Sequence, residues 1–307
     1  MPPELNQLER PLRDFLEDMI LKIVQEHGTE ILSIALFGSA ATKEWTKGKS
    51  DIDFIVVIAH ENKRRVVENS INGTLLELDR KYDLQLVCTC STFVRHKNPI
   101  VSFLFKIESM LMFGRPFFVL SRNQISFEKG TIADTSIRLA TTVFDPLSIF
   151  WAKMKQTGIT IYGENFINQI QYSASAFDKT RIALAPLWLV IMSLLSFPVD
   201  EQFSLKHSMK ATIWACEDVL FALDLPLSTT ANEASIVASI FGKYKRIDLT
   251  HLEKTITLKS ANFQKGNPSR GFVAKHILST ILFILNLYYR TSVVVRTFNQ
   301  YRWTKHC

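Results

Sequence analysis

Residues 35–57 have the sequence ALFGSAATKEWTKGKSDIDFIVV, in which two apolar runs flank a small, basic segment that contains glycine. The runs predict two buried strands, at residues 31–37 and 51–58. Successive residues of a strand point to opposite faces of the sheet, so Asp51 and Asp53 would share one face. Two neighbouring carboxylates repel each other unless a cation lies near them. The stretch therefore indicates a functional site built on two strands.

Gly38 and Ser39 follow the first run, and this pair is suited to binding phosphate. Glycine lets the backbone come close to a ligand, and a serine at a helix start offers a hydroxyl and N–H groups to phosphate oxygens. Magnesium bound to phosphates is a hard cation that prefers oxygen ligands, so it suits the two aspartates. Taken singly, each feature is most often a turn or a cap, but their order and spacing favour the functional interpretation.

A third acid, Asp83, begins another apolar run, which predicts a strand over residues 83–89. If this strand lies beside the strand of Asp51 and Asp53, three carboxylates meet at one rim of the sheet. Such a rim suits two metal ions that grip both sides of an in-line phosphoryl displacement.

The composition is that of a folded protein with basic charge. The 307 residues are 47% hydrophobic and 21% charged, enough for two domains with their own cores. The net charge of +7 favours anionic partners such as nucleotides. The four cysteines lack zinc-ligand spacing, and the first 15 residues lack the basic and apolar regions of a signal peptide, so we expect a cytoplasmic location.

Hydrophobic periodicity divides the chain into two parts. Helices alternate with strands over residues 1–125, which predicts a small domain with a mixed sheet. Residues 126–307 predict a helical bundle, with long apolar segments at 173–197, 208–223 and 269–296, so the expected fold class is α+β. The uncharged stretch 182–199 is nearly long enough to span a membrane, but its Pro186 and its two serines favour a buried bundle helix, and we expect no membrane span.

The order Gly38-Ser39, Asp51-x-Asp53 and a later acid resembles the polymerase-beta-type nucleotidyltransferase superfamily. The resemblance covers residues 31–90 and is strongest to minimal nucleotidyltransferases and aminoglycoside adenylyltransferases. It implies that Gly38 and Ser39 hold the phosphates of a nucleoside triphosphate, with ATP expected, and that Asp51 and Asp53 bind Mg²⁺. Asp83 would ligate a second metal ion or accept the proton of the acceptor hydroxyl. The products would be a nucleotidylated acceptor and pyrophosphate.

The resemblance leaves the acceptor open and contains one departure. The acceptor would carry a hydroxyl group, on a small molecule such as an aminoglycoside, on a protein or at an RNA 3′ end, in a pocket at the domain junction. Many relatives carry an arginine two or three residues after the serine, where this chain has Ala41 and Thr42. Lys43, Lys47 or Lys49 would therefore have to supply that charge.

Three alternatives stay open from the sequence. The domain could be an antitoxin-like partner that acts on or binds a protein or RNA and has weak or vestigial transfer activity. It could also add nucleotides to RNA, although no RNA-binding module follows it. Arg270 and His276 match a loose Arg-x(4–6)-His pattern of helical ribonuclease domains, and Lys153 and Lys155 could reach the phosphates. For these four residues the pattern favours a structural or solvated role.

Overall fold

The structure is a computed structural model. It describes the following residues: 5–6, 8–43, 45–47, 50–86, 98–99, 102–104, 117–135, 137–138, 141, 146–182, 184–222, 247–260 and 268–291. The α-helices of this part of the chain are α1 (Arg10–His27), α2 (Gly38–Ala41), α3 (Arg64–Tyr82), α4 (Leu147–Thr157), α5 (Ala176–Arg181), α6 (Leu184–Ser196), α7 (Glu201–Ala222), α8 (Thr250–Ser260) and α9 (Arg270–Thr291). The strands are β1 (Ile31–Phe37), β2 (Asp53–Ile58), β3 (Phe117–Ser121), β4 (Ile125–Ser126), β5 (Thr131–Ile132) and β6 (Ile159–Gly163).

The chain divides into two compact units, which are described separately. The sheet unit comprises residues 1–95, 105–140 and 150–173, and the helical unit comprises residues 96–104, 141–149 and 174–307. The sheet unit thus extends beyond residue 125. Its mixed sheet and the C-terminal helices confirm the predicted α+β class.

The sheet unit is built on a four-stranded sheet with the order β3-β2-β1-β6. β1 pairs antiparallel with β2 and with β6, whereas β2 pairs parallel with β3. Parallel neighbours need a long crossover connection, and α3 lies within this one. β4 and β5 form a separate two-stranded ladder.

One face of the sheet is covered by α1 and α3. Their inward side chains and those of one sheet face form a single apolar cluster, in which Phe15, Leu16, Phe54 and Val56 are fully buried. α1 begins with a proline in its first turn, where no backbone N–H is needed, and His27 is its last residue. The burial of this face orients the opposite face, which carries the candidate site.

The helical unit is organised around α7, which is buried over most of its length and packs against α6 and α9. α7 begins at Glu201 because Asp200 accepts a hydrogen bond from the Phe203 N–H at 2.8 Å, an N-terminal cap. The predicted segment 173–197 forms two helices, α5 and α6. α8 was not predicted from the sequence.

A group of hydroxyl and imidazole side chains, all buried except the half-buried His251, lies where α7, α8 and α9 meet, and we call it the hydroxyl–histidine cluster. It consists of Ser208, Thr212, His251, Thr255, His276 and Thr280. His276 Nδ1 is 2.9 Å from the Ser208 hydroxyl, and His251 Nε2 is 3.0 Å from that of Thr280. The two imidazole rings are 4.7 Å apart. Hydrogen bonds within the cluster replace those that these groups would make to water.

Within the described residues, two helical segments are long and apolar enough, by length and composition, to cross a membrane. They are Phe177–Ser196 and Arg270–Thr291, and 50% and 44% of their most apolar windows are buried inside the protein. A core helix of a soluble bundle has the same length and composition, so these two segments are weak grounds for a membrane protein.

Candidate active site

Gly38 and Asp53 are brought together by the register of β1 and β2. The last pair of this antiparallel ladder joins Phe37 to Asp53, so the residue after Phe37 lies next to the aspartate. Gly38 has a φ of +66°, and a Cβ atom on it would lie 2.5 Å from the Asp53 carboxylate oxygen Oδ2. Only glycine fits this contact without strain or displacement. The glycine and the second aspartate of the sequence pattern therefore form one local structure.

Ser39 lies directly beside this contact, as the second residue of the short helix α2. It is half-buried, and its neighbours Ala40 and Ala41 are buried in the apolar cluster. Thr42 closes the turn by donating its N–H to the Gly38 carbonyl at 3.2 Å. The structure thus places Gly38 and Ser39 in the strand-to-helix turn that the sequence predicts.

Asp51 is half-buried and lies in the loop before β2, because the predicted strand 51–58 begins only at Asp53. The ladder stops there since β1 ends at Phe37 and the chain turns away at Gly38. Ile52, between the two aspartates, is 1% exposed and belongs to the apolar cluster. Its burial fixes the segment from which both aspartates project.

The loop that leads to Asp51 is held by a buried tryptophan and a tight turn. Trp45 is 7% exposed and packs in the apolar cluster. Thr46 and Ser50 exchange hydrogen bonds: the Thr46 N–H donates to the Ser50 hydroxyl at 3.1 Å, and the Ser50 N–H donates to the Thr46 carbonyl at 3.0 Å. Lys47 projects from this turn. No motif in the sequence singles out Trp45 as an anchor.

Asp83 lies elsewhere than predicted. The strand expected over residues 83–89 is absent from residues 83–86, and residues 87–89 lie outside the part that the structure describes. α3 continues to Tyr82, and Asp83 caps its C-terminal end with left-handed dihedral angles, φ 49° and ψ 41°. Gln85 also has a positive φ, so this segment cannot extend as a strand. The prediction of a strand here was wrong, and the parallel neighbour of β2 is β3.

The carboxylate of Asp83 is bound by Lys47. The Lys47 ammonium lies 2.7 Å from Asp83 Oδ2, and the Gln85 side-chain amide donates to Oδ1 at 3.4 Å. The hydrogen bond from Lys47, with a further one from Gln85, holds the pKa of Asp83 below its usual value, so the carboxylate is ionised at neutral pH. Both side chains are exposed, at 49% for Lys47 and 69% for Asp83.

The described residues contain no group of three or more His, Cys, Asp or Glu side chains arranged to hold a metal ion. Asp51, Asp53 and Asp83 are therefore not assembled as a three-ligand group in this structure. Asp51 and Asp53, two residues apart in a fixed segment, offer carboxylate oxygens of the kind that Mg²⁺ prefers. The metal role of all three acids stays a prediction.

An aromatic group shares the sheet face of Asp53. Paired residues of an antiparallel ladder lie on the same face, so the Phe37 side chain is on the side of Asp53. The rings of Phe118 and Phe150 lie 6.4 Å and 5.6 Å from that of Phe37, and all three residues are half-buried. The sequence alone does not predict this group, because its members come from three distant segments.

The weaker candidates have structural partners. Lys155 on α4 lies over the ring of Tyr172, and Lys153 is half-buried on the same helix. Arg270 is bound to Glu201 at 2.7 Å, whereas His276, on the same helix, is 6% exposed inside the hydroxyl–histidine cluster. The structure does not bring Arg270 and His276 together, which favours their structural interpretation over the ribonuclease motif.

Comparison with known proteins identifies the N-terminal part of the chain. Residues 17–114 match the family model of the nucleotidyltransferase domain. No curated protein matches the chain. Among solved structures, the chain is similar to a spectinomycin adenyltransferase, AAD(9) from Enterococcus faecialis, determined with ATP and spectinomycin. The identity is 12%, the alignment covers 92% of this chain and 98% of the other, and the TM-score is 0.46.

The matched segment contains all five residues on which the resemblance to nucleotidyltransferases was based: Gly38, Ser39, Asp51, Asp53 and Asp83. The N-terminal part of this chain, over residues 17–114, is a nucleotidyltransferase domain.

Proposed function

We propose that this protein transfers a nucleoside monophosphate from a nucleoside triphosphate to a hydroxyl group and releases pyrophosphate, with ATP as donor and Mg²⁺ as the metal. The observation that carries the proposal is the contact between Gly38 and Asp53. It joins the turn of Gly38 and Ser39, which we call the phosphate-binding turn, to the segment of Asp51 and Asp53, which we call the acidic segment. Both lie inside the part of the chain that matches the nucleotidyltransferase domain.

The chain's own residues suit the parts of this reaction. Ser39 offers its hydroxyl to the triphosphate beside a glycine that lets the backbone come close. Asp51 and Asp53 would hold Mg²⁺, which neutralises phosphate charge when bound. Asp83, whose carboxylate is ionised, is the candidate base for the acceptor hydroxyl. A small hydroxylated molecule is the acceptor that we propose to test first, before protein and RNA.

The test is a transfer assay with ATP labelled at the α-phosphate. The purified protein is incubated with the label, Mg²⁺ and a panel of hydroxylated acceptors that includes aminoglycosides, and the pyrophosphate and the labelled products are measured. We expect labelled acceptor and an equal amount of pyrophosphate, and neither with the Asp53→Asn variant. A protein that binds no nucleoside triphosphate in calorimetry would exclude this function.

A further inference from the structure

Lys47 has a defined position next to the acidic segment. It projects from the turn closed by Thr46 and Ser50, which follows the buried Trp45 and leads directly into Asp51. Its ammonium is bound to Asp83, an acid of a different element, at the end of α3. The Lys47–Asp83 ion pair therefore connects the loop before Asp51 to the third acid of the predicted site.

The helix α2, which begins at the phosphate-binding turn, carries no basic side chain. α2 has the sequence Gly-Ser-Ala-Ala, and its two alanines are buried, so no basic side chain of this helix can reach a phosphate. A triphosphate bound there needs positive charge from another segment. Lys47 lies on the loop that connects α2 to β2, within the same unit.

The ion pair is one that a stronger anion can displace. About half of the Lys47 side chain and 69% of the Asp83 side chain are exposed. Solvent-exposed ion pairs are weak, since both groups stay hydrated and water screens their attraction. A triphosphate carries several negative charges and attracts a lysine more strongly than one carboxylate does.

From these contacts we infer that Lys47 is a nucleotide-binding residue that exchanges partners: it binds Asp83 in the free protein and the triphosphate in the nucleotide complex. The exchange supplies the positive charge that α2 lacks. It also frees the Asp83 carboxylate from its ion pair with Lys47 when the nucleotide binds. The inference rests on the proposed function, because it requires a nucleoside triphosphate at the Gly38–Asp53 turn.

A carbodiimide cross-linking experiment tests the exchange directly. The reagent couples a lysine amine to a contacting carboxylate: an amide bond forms, and the lost oxygen leaves with the reagent as a urea. Lys22–Glu77 and Lys81–Asp18, both at 2.5 Å in the sheet unit, are internal controls. Peptide mass spectrometry then measures all three cross-links with and without a nonhydrolysable ATP analogue and Mg²⁺.

We expect all three cross-links in the free protein, and at least a fivefold loss of the Lys47–Asp83 cross-link alone at a saturating concentration of the analogue. A Lys47–Asp83 cross-link that forms equally well with bound analogue would overturn the exchange. The exchange would also be overturned if the free protein formed both control cross-links but no Lys47–Asp83 cross-link.

Binding measurements with variants give an independent test. Lys47→Met should weaken the affinity for the magnesium-bound analogue about tenfold, the effect of losing one charged contact. Lys47→Arg should stay near wild type, and so should the control Lys63→Met, which removes an exposed lysine of the same unit. Asp83→Asn should bind the analogue at least as tightly as wild type, because the competing partner is gone.

The two proposals fail in different ways. Wild-type protein that binds no nucleotide overturns the proposed function and this inference together. If wild type binds the analogue and Lys47→Met binds it equally well, only the inference fails. Weaker binding by Asp83→Asn would also overturn it, because it would show that the pair supports the nucleotide site instead of competing with it.

Discussion

At the scale of single residues, Gly38 is the most constrained position of the candidate site. An alanine there must adopt a left-handed backbone and place its Cβ 2.5 Å from the Asp53 carboxylate. We expect Gly38→Ala to lower the transfer rate at least tenfold, and the strained backbone to cost about 1–2 kcal/mol of unfolding free energy. Transfer assays and urea unfolding measure the two effects.

Gly73→Ala is the matched control for this substitution. Gly73 lies on α3 with open space where a Cβ would be, so alanine there should stabilise the helix by about 0.5–1 kcal/mol without changing activity. If Gly38→Ala behaves like Gly73→Ala, the contact with Asp53 has no functional role.

Asp51→Asn and Asp53→Asn should each abolish transfer and leave the fold intact. Each change removes a negative oxygen ligand but keeps the shape of the side chain, and it also relieves repulsion between neighbouring carboxylates. The measurements are turnover, the circular dichroism spectrum and the midpoint of thermal unfolding. A variant that folds and turns over at a rate near wild type would exclude that aspartate as a metal ligand.

The same residues show what the sequence can and cannot predict about the site. The adjacency of Gly38 and Asp53 follows from a short loop between two neighbouring strands, so local spacing was sufficient. The position of Asp83 was not predictable in this way, since alternating apolar residues after it resemble a strand. The outcome depends on where α3 ends, and a left-handed cap at Asp83 has no apolar signature.

At the scale of elements, the junction of α7, α8 and α9 is expected to be sensitive to acid. Burial lowers the pKa of His251 to about 4, with a further effect of Lys254 and an opposing one of Asp248. Burial and the neighbouring His251 lower the pKa of His276 to about 4. Both imidazoles are therefore neutral at pH 7, where their hydrogen bonds with the hydroxyl groups are intact.

The sign of the effect follows from these lowered values. An unfolded chain binds these protons near pH 6.5, before the folded chain does, so acid favours unfolding. The stabilising contribution of the two neutral histidines is fully present above about pH 6.5 and is lost as the pH falls towards 4. It is on the order of 2 kcal/mol for the buried His276, and smaller for the half-buried His251, where water screens the effect. Urea unfolding between pH 7 and pH 4.5 measures this loss.

His276→Gln should reduce the pH dependence of the unfolding free energy, because it removes one of the two imidazoles whose pKa is lowered by burial. An equal slope in His276→Gln and wild type would show that the cluster does not titrate as described.

The elements also differ in how well the sequence predicts them. β1 was predicted because its residues form a nearly continuous apolar run. α8 was missed, since its residues are mostly polar, and among residues 250–259, whose burial is described, Leu252 and Thr255 alone are buried. β6 was missed as a member of the sheet, because its pairing with β1 joins segments that are far apart in sequence.

At the scale of the whole molecule, that pairing sets the shortest fragment expected to fold. A chain of residues 1–125 lacks β6 and turns the apolar β1 into an edge strand with unpaired backbone groups. It also lacks Glu164, whose carbonyl accepts from the Ser33 hydroxyl at 2.6 Å. We expect this fragment to aggregate and a fragment of residues 1–173 to stay soluble, as measured by size-exclusion chromatography. Equal behaviour of the two would show that β6 is dispensable.

The pairing of β1 with β6 also orders events during translation. Ser33 pairs with Gly163, 130 residues later in the chain. At about 5–20 residues per second, the partner of β1 emerges roughly 7 to 26 s after β1 itself. Throughout this interval β1 of the nascent chain is an apolar strand with an unpaired edge. We therefore expect a chaperone to bind residues 31–37 while the chain is still on the ribosome. It should be released once Gly163 has emerged and β6 can pair with β1.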